Sequence, residues 1–286
     1  MSSLEVKTLY YLNNPLPIWN RDLAEALVKH EIQELLHTDI LIGEAEYNTT
    51  AVYLSKKNLK GSGYIRVNGK MKIEYPDSAY LSEFYYNHAL DIMPRQEFRH
   101  IEVEAQIRLA ISELDRVKEC GECISHLVQS IQILRQPEPE FDISFSHPKI
   151  PFTVFVSLGE GTSAINTMRL AESILHEAMH LKLSLIEKIT PLIADNSQQH
   201  FSPWRDECRP IRGVLHAMYV FSAIRAYYKA VIDLHQNLET RKFMEWRTKE
   251  IACEISQMQS FWQNPGLTAT GSHLSKLMFE SGRHDA

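Results

Sequence analysis

The chain has 286 residues, with 30 Lys plus Arg against 36 Asp plus Glu, 13 His and 4 Cys. Its formal charge of −6 argues against a nucleic-acid partner, which selects for a basic surface, but leaves room for a local basic groove. Cys120, Cys123, Cys208 and Cys253 are too few for a disulfide framework in a chain this long, so a cytoplasmic protein with reduced thiols is expected.

Met1 to Tyr11 carries Glu5 and Lys7 and lacks the apolar run of a signal peptide. Asp22 to Leu36 reads as an amphipathic helix, with Leu23, Ala26, Leu27, His30, Ile32 and Leu35 near one face. Ala51 to Tyr53 and Tyr64 to Tyr75 predict short strands, punctuated by Gly61, Gly63 and Gly69. Helical spacing follows from Asp77 to about Ile92. It resumes from Ile101 to Leu134 with a break near Gly121, and ends at Pro137 and Pro139. Phe152 to Leu158, F-T-V-F-V-S-L between Pro151 and Gly159, is the strongest strand signal. A helix is predicted from Ala164 to Ile189, then a loop from Asp195 to Arg209. A helix beginning at Pro210 runs to about Asn237, and further helical patterns cover Glu239 to Trp262 and Leu267 to Phe279. The longest apolar-rich stretch, Gly213 to Ala223, is far short of the ~20 residues of a membrane span, and no membrane partner is expected. The expected fold class is mainly α with a small β-sheet (α+β). Residues 1–286 read as a single catalytic unit, with a mainly helical part at 1–150 and a metal-site part at 151–286.

The chemistry-bearing signal is H-E-A-M-H, His176 to His180. Two His at i and i+4 stand above one another on a helix, about 5–6 Å apart at Cβ, so both imidazoles can reach one ion at ~2.0–2.1 Å. Glu177 between them can approach a metal-bound water as a general base. Ile174, Leu175, Ala178, Met179, Leu181, Leu183, Leu185 and Ile186 surround the motif, which predicts a buried helix where unpaired polar groups are costly. The plainer alternative is a solvated His-Glu-His stripe. A metal needs a third ligand, and His216 in G-V-L-H-A-M-Y-V-F is the best candidate. Alone, it would read as a hydrogen-bonded core residue. Asp206, Glu207 and Asp233 compete with it; a carboxylate would give a zinc-peptidase or facial-triad set, His216 three imidazoles. With His216, the H-E-x-x-H helix packs on a second His-bearing helix.

Arg205, Arg209 and Arg212 lie in S-P-W-R-D-E-C-R-P-I-R-G, before this His and beside a helix start. Such an Arg suits a carboxylate clamp, and pairing with Asp206 or Glu207 is the alternative. Cys120-Gly-Glu-Cys123 has redox spacing but no second pair, and reads as two cysteines near a helix break. No Walker loop, dinucleotide fingerprint or serine-hydrolase elbow is present.

I-L-H-E-A-M-H-L followed by S-P-W-R-x-x-x-R-P-I-x-G-V-L-H-A-x-Y-V-F resembles the HExxH-motif peptide-modification proteins of ribosomal peptide natural product clusters. The resemblance covers about Phe152 to Tyr227, with a weaker echo in L-T-A-T-G-S-H-L-S-K-L. It implies iron(II)- and 2-oxoglutarate-dependent β-hydroxylation of a side chain in a precursor peptide, with O₂ as co-substrate. The implied fold is not a double-stranded β-helix. It also implies His176, His180 and His216 as iron ligands, and Arg209, with Arg205 as rival, for the 2-oxoglutarate carboxylate. In this chemistry Glu177 is not a hydrolytic base and orients a ligand or water instead. Ala217 stands where family members often have Gly, and Cys208 where Pro is common. A zinc-dependent metallopeptidase resting on the HExxH helix alone, and a non-catalytic peptide-binding protein, are the competing expectations. The metzincin spacing is absent, since Leu183 stands where its Gly would.

Overall fold

S-I-Q-I-L and T-V-F-V-S form the two central strands of a five-stranded sheet, β3 (Ser130–Leu134) and β5 (Thr153–Ser157), paired in parallel. All ten of their residues are buried, including the polar Ser130, Gln132, Thr153 and Ser157, so both faces of these strands are covered. The structure, a computed structural model, describes residues 2–14, 18–38, 63–69, 71–75, 81–97, 100–136, 138 and 141–283. β1 (Gly63–Asn68) and β2 (Met71–Tyr75) form an antiparallel pair, with Gly69 at φ +40° in the turn. β2 runs parallel to β3, and β4 (Ser144–Ser146) lies antiparallel on the outer side of β5. The order is β1-β2-β3-β5-β4, an open sheet with no barrel closure among the described residues.

Two compact units make up the chain: Val28–Leu181, and Met1–Leu27 together with Lys182–Ala286. The first holds the sheet, α3 (Ser82–Asn87), α4 (His100–Asp115) and α5 (Lys118–Leu127). Its core gathers Leu81, Phe84 and Tyr85 against Leu134, Ile150 and Phe155. The helix α2 (Arg21–Thr38) and the 26-residue helix α6 (Ala164–Ile189) each cross from one unit into the other.

The second unit is built around α7 (Ile211–Val231), whose buried residues occupy nearly its whole circumference. A helix apolar all round must be surrounded. It packs against α8 (Leu238–Ser256), α9 (Ala269–Arg283) and the hairpin of β6 (Gln199–Ser202) and β7 (Glu207–Pro210). A capping box at Ser2 and Glu5 starts α1 (Ser3–Asn13). Lys182, with no exposed surface, ties α1 to this unit. Its Nζ donates to the Ile18 carbonyl at 2.6 Å and to Tyr11 Oη at 3.1 Å, and lies 4.2 Å from the Tyr11 ring centroid. Tyr11 Oη also meets Tyr219 Oη at 2.9 Å.

The expected α+β class stands, as do the Asp22 to Leu36 helix, the Tyr64 to Tyr75 strands and the Ala164 to Ile189 helix. Four expectations are corrected. Ser130 to Leu134, read as the end of a helix, is β3; five residues following directly on a helical pattern are too short for their Ser-Ile-Gln-Ile alternation to stand out. The helix break falls at Arg116 and Val117, while Gly121 lies within α5, where a Cβ would come 2.2 Å from Asp115 Oδ1. The loop from Asp195 to Arg209 contains the β6–β7 hairpin. In the helical pattern from Asp77 to Ile92 only Ser82–Asn87 is α-helix among the described residues, with Ala89 at φ +52° beyond its end. Ala51 to Tyr53 lies outside the described residues. No helix among the described residues is long and apolar enough to cross a membrane.

Thr268 explains part of L-T-A-T-G-S-H-L. Its Oγ1 accepts the Gly271 N–H at 3.1 Å and donates to the Pro191 carbonyl at 2.9 Å, capping α9 and fastening it to the chain leaving α6. Gly271 faces the Leu192 carbonyl so closely that a Cβ would lie 2.1 Å from its oxygen. Gly271→Ala is expected to cost about 1–3 kcal/mol through the forced backbone shift. Urea unfolding checks it, and an unchanged midpoint would show that the contact relaxes freely.

Candidate metal centre

The H-E-A-M-H helix is buried because the residues around the motif are apolar. Ile174, Leu175, Ala178, Met179 and Leu183 are all without exposed surface. His176 and His180 are half-buried, and their Nε2 atoms lie 3.1 Å apart. Two nitrogens each ~2.0–2.1 Å from one ion would stand about 2.8–3.4 Å apart at the angles of octahedral or tetrahedral coordination. The pair therefore fits a shared metal. The same spacing also suits an N–H···N hydrogen bond between neutral imidazoles.

Glu177 points to β4. Its Oε1 accepts from Ser144 Oγ and its Oε2 from Ser146 Oγ, both at 2.6 Å. Residues i and i+2 of a strand project to one face, which is why both serines reach one carboxyl. Glu177 is only 4% exposed. Burial pushes its carboxyl up to about 7, while the two serine bonds pull the other way.

His216 is 5% exposed on α7, and its Nε2 lies 3.0 Å from Glu187 Oε2. Glu187 stands seven residues beyond His180 in α6. Arg212 completes the cluster, with Nε 2.9 Å and Nη2 2.7 Å from the same carboxylate oxygen. Burial raises the Glu187 carboxyl, but the hydrogen bonds and charges of His216 and Arg212 outweigh it, and it sits below its usual range. Burial lowers His216 despite the neighbouring carboxylate. Arg212 is a permanent cation, so Glu187 is ionised and a neutral His216 donates its Nε2–H to it.

The expected residues thus fall into two groups. His176, Glu177 and His180 belong to Val28–Leu181, and His216, Arg205 and Arg209 to the other unit. Among the described residues, no group of three His, Cys, Asp or Glu side chains is gathered as a metal site. Of the competing ligands, Glu207 is paired with Arg209 at 3.6 Å and Asp233 with Arg241 at 3.3 Å, and Asp206 is an exposed turn residue at φ +51°. Arg205 is exposed in the hairpin turn and makes no ion pair among the described residues. Glu187, Ser144, Ser146 and Lys182 escaped the sequence reading. For Glu187 a signal existed, since i+7 returns to the face of His180. For the serines none did, because their role rests on strand placement.

Replacing Ser144 and Ser146 together by alanine removes both donors to a buried carboxyl. It should lower stability by about 1–3 kcal/mol, each single change costing less. Chemical unfolding of the three variants checks this, and an unaltered double variant would mean that the contacts carry no load.

No protein-family model matches the chain, and no curated protein matches it.

Proposed function

We propose that the protein is an iron(II)- and 2-oxoglutarate-dependent oxygenase that hydroxylates a side-chain β-carbon in a ribosomally synthesised precursor peptide. The observation that carries this reading is the convergence of His176 and His180, with Nε2 atoms 3.1 Å apart on a buried helix. The Arg-Pro-Ile-x-Gly-Val-Leu-His block that follows in the sequence directs it toward this chemistry.

In this reading His176, His180 and His216 hold the iron, and the HExxH helix packs on the His216 helix. The hydrogen bond from His216 Nε2 to Glu187 supports that role. Metal-bound histidines commonly donate their other ring N–H to a carboxylate, which sets the tautomer and leaves Nδ1 for the ion. When bound, iron(II) with 2-oxoglutarate and O₂ supplies the oxidising power for C–H hydroxylation. Arg209, or Arg205 in its place, holds the 2-oxo acid's distal carboxylate. Arg212 is held by Glu187 at 2.7 Å, whereas Arg209 meets only the exposed Glu207 at a longer 3.6 Å, which favours Arg209 and Arg205. Glu177 anchors the helix to β4. Its two oxygens each accept a serine hydroxyl, an arrangement that supports positioning over hydrolytic base catalysis and speaks against the zinc-peptidase alternative. The partner is a peptide met in the cytoplasm, with no role for nucleic acid or membrane.

The test is anaerobic loading with iron(II), then addition of 2-oxoglutarate, O₂ and the precursor peptide encoded beside the gene. One added oxygen atom on the peptide and one succinate per turnover are expected. Peptide cleavage that needs neither O₂ nor 2-oxoglutarate would instead establish a peptidase. Arg209→Ala should raise the KM for 2-oxoglutarate about tenfold or more, as expected for a lost charged hydrogen bond. If only Arg205→Ala does so, the clamp is Arg205.

A further inference from the structure

The outer edge of β4 carries a row of unpaired backbone groups. In its antiparallel register, with Ser144 opposite Val156, Phe145 opposite Phe155 and Ser146 opposite Val154, only alternate residues of β4 turn their N–H and C=O to β5. The Ser157 N–H donates to the Ile143 carbonyl at 2.8 Å, so Ile143 and Phe145 are the residues bonded to β5. The N–H and C=O of Ser144 and Ser146 therefore face away from the sheet, and none of them is hydrogen-bonded among the described residues. The opposite edge differs, since Arg108 of α4 donates to the Arg66 and Val67 carbonyls of β1. Among the described residues β4 has no such donor, and S-F-S holds none of the Lys or Pro residues that commonly guard an edge.

The edge lies beside the H-E-A-M-H motif. Glu177 accepts both serine hydroxyls, so one face of β4 is held against α6 between His176 and His180. All these residues belong to the unit Val28–Leu181. On the other face Ile143 is 37% exposed, and the Phe145 ring stacks on His147 with centroids 6.1 Å apart. The His88 ring lies 5.5 Å from Phe145 and 4.8 Å from His147. A strand added to this edge would turn alternate side chains toward α6 and toward this ledge of apolar and imidazole groups. Backbone donors and acceptors at strand spacing match an extended peptide, and the alternating faces give it side-chain selectivity.

From this juxtaposition we propose that the substrate peptide docks by adding a strand to β4, bonding its backbone to Ser144 and Ser146 and presenting the residue to be modified on the α6 face. That the peptide is a substrate rests on the oxygenase reading, but the docking is measurable without turnover.

The probes are short overlapping fluorescein-labelled segments of the precursor peptide, titrated by anisotropy into the full-length chain, anaerobically and without 2-oxoglutarate. Saturable binding of one segment is expected. Ser144→Pro deletes an outward N–H and sets a ring against an incoming strand, while the bonds to β5 stay, because Ile143 and Phe145 make them. It should weaken that segment about tenfold or more relative to Ser144→Ala, which equally loses the hydroxyl to Glu177 but keeps the N–H. N-methylation of the segment, one residue at a time, leaves the protein untouched. It should weaken binding at every second residue only, since alternate N–H groups face β4. Equal affinity of folded Ser144→Pro and Ser144→Ala overturns the proposal, as does a methylation scan without the two-residue alternation, or the absence of any binding segment. So does a dimer of the chain that Ser144→Pro dissociates, since a second copy then holds the edge. Binding with the alternation but no 2-oxoglutarate-dependent product leaves the edge standing and removes the oxygenase reading, and product formation with a flat scan does the reverse.

Discussion

The constraint on which this structure depends is the burial of α6 with its polar cargo. A 26-residue helix with a broad buried apolar face also carries His176, Glu177, His180, Lys182 and Glu187. Each would be costly if left uncompensated in the interior. The fold answers from several directions. β4 supplies two hydroxyls to Glu177, the chain at Ile18 and Tyr11 receives the Lys182 ammonium, and α7 brings His216 and Arg212 to Glu187. These contacts account for the short edge strand beside β5 and for the N-terminal helix joining the C-terminal half of the chain. His176 and His180 are turned toward each other, with Nε2 atoms 3.1 Å apart.

How much of this was legible in the sequence depended on how local each signal was. The α6 helix was readable to the residue, since Gly161, Pro191 and a long 3.6-residue apolar period bound it. The motif was legible because its spacing lies within one helical turn. β3 was not, because the alternation in S-I-Q-I-L spans only five residues and follows directly on a helical pattern. The β6–β7 hairpin hid among charged and turn-forming residues, as strands of four residues offer too few positions for a pattern. The partners of Glu177 and Lys182 lie 31 and 164 residues away at their nearest, and no local rule reaches that far.

The site also shows why five letters do not define a reaction. In a hydrolytic enzyme the motif's glutamate must face the metal-bound water with a free oxygen. Here both oxygens of Glu177 accept serine hydroxyls of β4. The arginines divide similarly. Arg212 is bound into the His216–Glu187 cluster, while Arg209 on the hairpin pairs with the exposed Glu207 at 3.6 Å and Arg205 is exposed in the hairpin turn. An overall negative charge therefore conceals cationic positions at the hairpin.

The central claim is that His176, His180 and His216 hold one metal ion together. It is tested most directly by the iron content of the purified chain and of the three single His→Ala variants after anaerobic loading and removal of excess metal. The account predicts one iron per wild-type chain and its loss in each variant, with folding unchanged by circular dichroism. Retention of wild-type iron by His216→Ala would contradict it.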